Sequence, residues 1–387
     1  MRRRAALSTL AASLAGGLLA PPLRAQEQTA AAVPQGAPRR RLLLGQSAPL
    51  SGPAAQLGKQ MQLGARLFLD ALNAAGGING MTVELKTLDD GYDPERCKAN
   101  TEKFIDEDVF ALFGYVGTPT SLAALPLVNQ HKIPFFAPLT GAEALRDPLS
   151  RWVFHVRASY YEETALIVKQ LAELGLHKIS VFHQNDSYGK AGLEGVTRAM
   201  KPLSLQPQAA STVERNSVDV AKAVRELLPG KPEAIVLISA YKSCAAFIRE
   251  ARRAGYGGVF YNVSFVGTQA LLDELGKDAL GVVVSQVMPY PFGTTSGIAA
   301  EYQAALAKAG GDLRPDYNGI EGFLAAKVLS EGLRRMGRPS REGLVAALEG
   351  LQSFNPGGFP MKFGPTRHTA SNFVELSMLT ADGKVKR

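Results

Sequence analysis

The sequence contains little cysteine and little histidine, the side chains that structural metal sites rely on most. Only Cys97 and Cys244 occur among the 387 residues, and two isolated cysteines do not make a disulfide framework. The five histidines show none of the spacings that are typical of metal ligands. We therefore expect no metal site and no cofactor. We also expect the two cysteines to be unpaired core residues in different parts of the fold.

Short catalytic motifs are also missing. The sequence has no G-x-S-x-G elbow, no Walker loop, no G-x-G-x-x-G after a strand and no H-E-x-x-H. These absences favour a binding protein over an enzyme. An exported α/β enzyme is kept as a less favoured alternative.

No apolar segment reaches the roughly 20 residues that a membrane-spanning helix needs. The longest, Ala5–Ala20, follows three arginines and ends at Pro21-Pro22. Leu23-Arg24-Ala25 then offers a cleavage site of small residues before Gln26. This order predicts a secretory signal over residues 1–25, a periplasmic protein, and no direct insertion into the membrane. Arg3-Arg4 leaves the twin-arginine route open beside the general secretory route.

The part of the chain that should fold has no large excess of positive charge. The whole chain carries a net charge of +8, but many of its arginines lie near the N-terminus. Residues 26–41 are rich in Ala, Pro and Gln and predict a disordered tail. The body from Leu42 onward is close to neutral, so nucleic acid is not an expected partner.

Along that body, apolar runs of strand length alternate with segments in which apolar residues recur at helical spacing. The body is also longer than the roughly 250–300 residues that a single hydrophobic core supports. This alternation predicts an α/β fold with parallel-rich sheets covered by helices on both faces. The predicted strands are Leu42–Ser47, Thr82–Leu88, Val109–Tyr115, Ile133–Ala137, Ile179–His183, Ala234–Ser239, Val259–Val263, Leu280–Val287 and Phe373–Leu379. The predicted helices are Lys59–Ala75, Tyr161–Leu174, Val218–Leu228, Ser243–Ala254, Ile298–Ala309 and Tyr317–Met336.

Polar residues follow the predicted strands in loops that should face one crevice, because ligands bind beyond the carboxyl ends of strands in open α/β sheets. Two of these loops should open helices. Thr118 before Pro119 indicates an N-cap, and Thr140 with Glu143 has the spacing of a capping box. Free backbone N–H groups at a helix start suit a carboxylate. The alternative is that both threonines only cap their helices.

Tyrosines occupy loops of the second half of the sequence. Tyr188 and Tyr241 each come just after a predicted strand, where a ring can cover an apolar ligand and a hydroxyl can bond to it. Tyr160 lies near the expected passage between domains and could line the same cleft. The alternative for Tyr188 and Tyr241 is a tyrosine half-buried at a domain surface, and for the segment of Tyr160 it is a solvated surface.

Several segments together carry a family resemblance, which runs from about Leu42 to the end. They are Ala48–Pro53, the turn Ala75–Gly80, Asp89-Asp90 with Asp93-Pro94, Gln184–Gly189 and Ala251–Gly255. With these segments the chain resembles the leucine/isoleucine/valine-binding type of periplasmic protein that serves ABC importers.

The resemblance implies a type I periplasmic-binding-protein fold, with two Rossmann-like lobes joined by three hinge crossings. One lobe should be 42–156 plus 288–361, and the other 157–287 plus 362–387. It also implies a monomer that captures a small organic solute and delivers it to the membrane permease subunits of an ABC importer.

The resemblance also implies ligand-binding positions. The ligand carboxylate should contact Thr118 and the loop of Leu139, Thr140 and Gly141, while Tyr188 and Tyr241 cover the ligand. The first-strand loop with Ser51 belongs to the same set. Tyr160 completes the aromatic candidates.

Two positions depart from the family pattern. Ser264 stands where an acidic residue pairs with an amino acid's ammonium, and Leu57 replaces an aromatic residue that closes over the ligand in some members. We therefore expect α-amino acids to bind weakly and a flat or aromatic acid, or an amide, to bind better. Glu162, Glu163 and Asp186 are the acids that could compensate.

The function expected from the sequence is thus the extracytoplasmic substrate-binding component of an ABC importer of the branched-chain amino acid type. Its solute would be a carboxylate-bearing molecule such as an amino acid, an amide, or an aliphatic or aromatic acid. A sensor that passes its ligand-bound state to a membrane receptor is the main alternative.

Overall fold

The computed structural model describes residues 41–294 and 297–387. The predicted signal peptide and nearly all of the predicted tail lie outside these residues. Among the described residues, no helix combines the length and the apolar character that crossing a membrane requires.

The strands form two separate sheets. The first sheet has the order β2-β1-β3-β4-β5 with every pair parallel, and the second has the order β12-β11-β10-β9-β8-β6-β7. In the second sheet β6 to β10 pair in parallel, while β11 and β12 run antiparallel to their neighbours. The strands are β1 (Arg41–Ala48), β2 (Thr82–Asp89), β3 (Ala111–Phe113), β4 (Phe135–Phe136), β5 (Val153–Phe154), β6 (Ile179–Gln184), β7 (Ala210–Val213), β8 (Ala234–Ile238), β9 (Val259–Asn262), β10 (Val283–Gln286), β11 (Glu375–Leu379) and β12 (Val385–Lys386).

The α-helices of the described residues alternate with these strands. They are α1 (Ala55–Ala74), α2 (Pro94–Asp106), α3 (Thr118–His131), α4 (Tyr160–Glu173), α5 (Ser187–Met200), α6 (Ala221–Leu227), α7 (Tyr241–Arg253), α8 (Thr268–Leu275), α9 (Gly297–Ala309), α10 (Tyr317–Arg335) and α11 (Arg341–Glu349). We call the first sheet with α1–α3 and α9–α11 the first half, and the second sheet with α4–α8 the second half. The chain passes between the halves three times: after β5, after β10 and after α11.

Helix α10 packs against α1 at close range because glycines line the contact. A Cβ atom on Gly64 would lie 1.8 Å from the carbonyl oxygen of Gly319, and one on Gly322 would lie 2.2 Å from that of Met61. Only residues without a side chain allow this approach. The contact ties the late helix α10 to the first sheet, far from it in sequence, and so places α10 beside the site described below.

The α/β fold class predicted from the sequence is confirmed. The predicted strands correspond to β1–β4, β6 and β8–β11 within a few residues, and the predicted helices to α1, α4, α6, α7, α9 and α10. Strand β1 begins at Arg41, one residue before the predicted start of the folded body. Cys97 and Cys244 are both buried and unpaired.

Candidate functional site

Two loops of the first half lie side by side beyond the ends of β3 and β4. Val116 and Leu139 form an isolated parallel bridge, and the backbone N–H of Gly117 donates to the carbonyl of Leu139 at 3.2 Å. This pairing brings Thr118 and Thr140 together, with their Oγ1 atoms 2.6 Å apart. Both side chains are buried. We call them the hydroxyl pair.

The helix starts differ from the sequence-based expectation. Gly117 is the N-cap of α3, and Thr118 is its first helical residue rather than its cap. Thr140 begins no helix; its Oγ1 accepts the N–H of Ala142 at 3.2 Å, before a single 3₁₀ turn over Glu143–Leu145. The turn is followed by Pro148, and the proline ring disfavours the α conformation at the residue before it, Asp147. The 3₁₀ turn therefore does not continue into a longer helix. Of the two helix starts expected at Thr118 and Thr140, the structure has only the one at Thr118, the start of α3.

Aromatic side chains of the second half lie against the hydroxyl pair. The hydroxyl of Tyr160 accepts a long hydrogen bond of 3.4 Å from Thr140. The ring of Tyr160 is 5.4 Å from that of Tyr188, which is 4.6 Å from that of Phe265, between centroids. Gly141 is required beside them, since a Cβ atom there would lie 2.7 Å from the ring of Tyr160. The rings thus form a continuous buried row.

Two predicted site residues, Ser51 and Tyr241, have other partners among the described residues. Tyr241 is at the rim of the cleft, where its hydroxyl is 3.5 Å from the backbone nitrogen of Gln56, and it lines a cavity of about 500 Å³ shared by both halves. Ser51 is exposed, and its hydroxyl donates to Asp89 at 2.6 Å. The structure therefore does not bring Ser51 or Tyr241 together with the hydroxyl pair.

A buried group of charged side chains lies beside Ser264. Arg157 is 1 % exposed and lies 3.8 Å from Glu163 and 3.7 Å from Glu321, each measured between nitrogen and carboxylate oxygen. It also donates to the hydroxyl of Ser264. Glu163 accepts from the backbone N–H of Ser264 at 2.7 Å, from its hydroxyl at 3.0 Å and from the hydroxyl of Ser285 at 2.5 Å. We call Arg157, Glu163 and Glu321 the ionic cluster.

Burial and mutual attraction act in opposite directions on the ionic cluster. Burial raises the pKa of Glu163 and that of Glu321, while Arg157 lowers both. For Arg157, burial alone would lower the pKa, but the two carboxylates outweigh it and raise the pKa above its usual range. The guanidinium therefore stays charged, and its charge is balanced from both halves of the molecule.

Only one of the three acids considered as replacements at Ser264 is next to it. Glu163 contacts Ser264 directly. Glu162 forms a capping box with Ser159 at the start of α4. Asp186 caps α5 and pairs with Arg215 at 2.9 Å. A carboxylate is thus present at the Ser264 position although the residue itself is a serine.

Sequence reasoning missed several residues of this region. Arg157 follows β5, a strand of two residues that leaves little pattern in the sequence. Glu321 had a usable signal: it lies on the buried stripe of α10, between Tyr317 and Leu324 at helical spacing, where an acid is unusual. Phe265 directly follows Ser264 and could have been included with it.

The two halves meet over the site. Tyr92 of the first half is fully buried, its ring centroid is 5.7 Å from that of Phe265, and its hydroxyl accepts from Gln184 at 3.2 Å. Asn216 donates to the carbonyl of Gly91 at 3.0 Å. These contacts join residues that are distant in sequence and belong to different halves, so the structure describes a closed arrangement.

Two α/β halves that are joined by three crossings and meet over buried polar side chains have the architecture of a clamshell solute-binding protein. The chain belongs to the periplasmic binding protein family, whose model matches residues 43–384.

Solved structures and sequence relatives agree with this assignment. A possible leucine/isoleucine/valine-binding protein from Rhodopirellula baltica SH 1 is 36% identical, with a TM-score of 0.86 over 90% of this chain and 96% of that one. A substrate-binding periplasmic protein from Ralstonia solanacearum is 32% identical, with a TM-score of 0.84 over 89% and 99%. The Leu/Ile/Val-binding protein homolog 8 of Brucella abortus (strain 2308) is 24% identical over 360 residues, 87% of each chain.

These comparisons confirm the predicted family and the type I periplasmic-binding-protein fold. The family and its members are binding proteins, so the chain is a binding protein and not an enzyme. Within residues 41–294 and 297–387, His, Cys, Asp and Glu side chains form no group of three or more that could hold a metal ion.

Proposed function

We propose that the protein is the extracytoplasmic substrate-binding component of an ABC importer, and that it encloses a small carboxylate-bearing solute between its two halves. The observation that carries this proposal is the hydroxyl pair of Thr118 and Thr140, buried at the start of α3. The exported location and delivery to permease subunits follow from the family and from the predicted signal peptide.

The start of α3 suits a carboxylate on physical grounds. The first turn of a helix leaves backbone N–H groups without intrahelical acceptors, and the helix dipole places partial positive charge there. Thr118 and Ser121 lie on one face of that turn, and the buried hydroxyl of Ser121 has no hydrogen-bond partner in the part of the chain that is described. A carboxylate accepts from such donors better than a neutral group does.

We further propose that the lobes are residues 42–156 with 288–361, and residues 157–287 with 362–387, and that they move about the three crossings. The contacts of Tyr92 with Gln184 and Phe265 support this division, because they join the lobes and must break when the cleft opens. A solute held by the first lobe and covered by tyrosines of the second would stabilise the closed form.

A thermal-shift panel of amino acids, aliphatic acids, aromatic acids and amides tests the proposal, because a ligand stabilises the folded state it binds. The best ligand is then titrated into Thr118→Val. Loss of a hydrogen bond to a charged group should weaken binding about tenfold to a hundredfold. Thr118→Ser should keep most of the affinity.

Thr197→Val is the matched control, since Thr197 lies on the exposed face of α5 and donates only to Leu193 of its own helix. Its affinity should equal that of the unmodified protein. A ligand whose affinity is the same in Thr118→Val as in Thr197→Val would contradict the proposed carboxylate site.

A further inference from the structure

The ionic cluster contains polar atoms that the protein itself leaves unsatisfied. Arg157 Nε, Arg157 Nη1 and Glu321 Oε1 are buried and have no hydrogen-bond partner in the described part of the chain. The hydroxyl of Tyr188 is also buried without a hydrogen-bond partner among the described residues. Buried polar groups are nearly always hydrogen-bonded, so four such atoms in one region indicate a site for a further group.

Glu163 differs from Glu321 in this respect. Its carboxylate accepts three hydrogen bonds from Ser264 and Ser285, so it is held by the second half alone. Glu321 comes from α10 of the first half, and its contact with Arg157 at 3.7 Å is too long for a hydrogen bond. The unsatisfied donors of Arg157 and the unsatisfied acceptor of Glu321 therefore lie within reach of a single small group.

The ionic cluster adjoins the hydroxyl pair through tyrosines. Tyr160 contacts Thr140 on one side and the ring of Tyr188 on the other. Arg157 acts on the pKa of Tyr160, which burial raises and the guanidinium lowers. Tyr160 thus lies close to both polar groups, the hydroxyl pair and the ionic cluster.

We propose that the ionic cluster is a second anchor of the ligand site and that it selects an uncharged group with both a donor and an acceptor, a carboxamide or a hydroxyl. This rests on the proposed function, in which the hydroxyl pair holds the carboxylate of the same solute. The group donates its N–H or O–H to Glu321 and accepts from Arg157. The ligand is therefore a small acid that carries an amide or a hydroxyl at its far end.

Charged or apolar groups at this end each leave part of the cluster unsatisfied. An ammonium can donate to Glu321, but it cannot accept from Arg157 and would lie close to a like charge. A carboxylate can accept from Arg157, but it would oppose Glu321. An alkyl group satisfies neither. An unsatisfied buried partner weakens binding by about tenfold or more.

Matched compounds of equal length test this selection by calorimetry on the unmodified protein. An aliphatic series compares succinamate and 4-hydroxybutanoate with succinate, 4-aminobutanoate and pentanoate. A longer, flat series compares 4-carbamoylbenzoate with terephthalate, 4-(aminomethyl)benzoate and 4-ethylbenzoate. In the series whose length matches the distance between the hydroxyl pair and the ionic cluster, the carboxamide or hydroxyl compound should bind at least about tenfold more tightly than the others.

The outcomes separate this proposal from the proposed function. If a simple acid, a diacid or an amino acid of the same length binds as tightly as the carboxamide, the second anchor is wrong, while Thr118-dependent binding would keep the carboxylate site. If no compound of either series binds while another carboxylate of the thermal-shift panel binds through Thr118, the second anchor is overturned and the carboxylate site stands.

The variant Glu321→Gln gives a second, independent readout. Its amide can donate to a ligand carboxylate, so the diacid should gain on the carboxamide by about tenfold in the ratio of their dissociation constants. The matched control is Glu331→Gln on the same helix, where Glu331 pairs with Arg334 and Arg335 at the surface. An unchanged ratio in Glu321→Gln, with or without a lower melting temperature, would make Glu321 a structural residue and overturn the proposal.

Discussion

At the scale of single residues, Gly117 shows how the backbone prepares the hydroxyl pair. Its φ of +102° is in the region that favours glycine, and a Cβ atom there would lie 2.2 Å from the ring of Tyr92. The residue fixes the N-cap of α3 directly before Thr118. It also lets Tyr92 approach the start of the helix, so one glycine joins the ligand site to the contact between the halves.

Replacing Gly117 with alanine should therefore destabilise the protein by about 2 kcal/mol or more, from backbone strain and from the clash with Tyr92. Urea unfolding measures the change. Gly175→Ala is the control, because Gly175 has a similar positive φ of +74° but a Cβ atom there meets nothing within 4 Å. The free energy of unfolding of Gly175→Ala should fall by about 1 kcal/mol. Equal falls in the two variants would mean that the contact with Tyr92 contributes nothing to the stability.

Only part of the site could be predicted from the sequence. Thr118 and Thr140 follow β3 and β4, which are parallel neighbours in the first sheet. The topology alone therefore predicts that the two threonines meet, and they do. Arg157 and Glu321 come from segments 164 positions apart in numbering, and only the packing of α10 on α1 brings them together. No local pattern records that contact. The sequence therefore named Glu163 among the acids that could stand beside Ser264, but it did not show that Arg157 and Glu321 meet there.

At the scale of elements, helix α10 begins with a buried acid. Asp316 caps the helix by accepting from the backbone N–H of Asn318 at 2.7 Å and of Gly319 at 3.1 Å. Burial raises the pKa of Asp316 from 3.8 to about 6, and the two N–H donors only partly offset this effect. The folded protein thus holds this proton more tightly than the unfolded chain does.

This difference gives a pH dependence with a definite sign. Between pH of about 4 and 6 the folded state binds more protons at Asp316, so its contribution to stability falls as pH rises through that window. Asp316→Asn keeps the cap and removes the charge. Above the window, the variant should be more stable than the unmodified protein by about 2 kcal/mol, and the difference should shrink toward pH of about 4.

Urea unfolding across that pH range measures the effect. The control is Ser340→Ala, which removes the cap of α11 without touching a titratable group. It should lower the stability by about 1 kcal/mol at every pH. A constant difference between Asp316→Asn and the unmodified protein over the whole window would contradict the account of α10.

The strands that sequence reasoning missed, β5, β7 and β12, all lie at the edge of a sheet. Strand β5 has two residues and β12 has two, too few for a period to be visible. Strand β7 lies at the edge of the second sheet, and its alternating exposed and buried residues include Ser211 and Thr212. The central strands were predicted because both faces are covered and the sequence is apolar throughout.

At the scale of the whole molecule, three crossings join two halves that touch over a buried site. Besides the contacts of Tyr92, Leu57 reaches across the cleft: a Cβ atom on Gly267 would lie 2.5 Å from its side chain. At the rim, Arg314 pairs with Asp273 at 2.8 Å. An exposed pair of this kind contributes little by itself. We therefore expect the closed form to depend on the solute rather than on the rim.

Small-angle X-ray scattering shows whether the solute closes the two halves, because closure of a clamshell about its crossings changes the size of the molecule. The scattering curve is recorded before and after saturation with the carboxylate that gives the largest thermal shift. We expect a smaller radius of gyration with the solute, and a smaller change for Thr118→Val at the same solute concentration because less of that variant is bound. A solute that binds through Thr118 and leaves the radius of gyration unchanged would contradict the proposed closure.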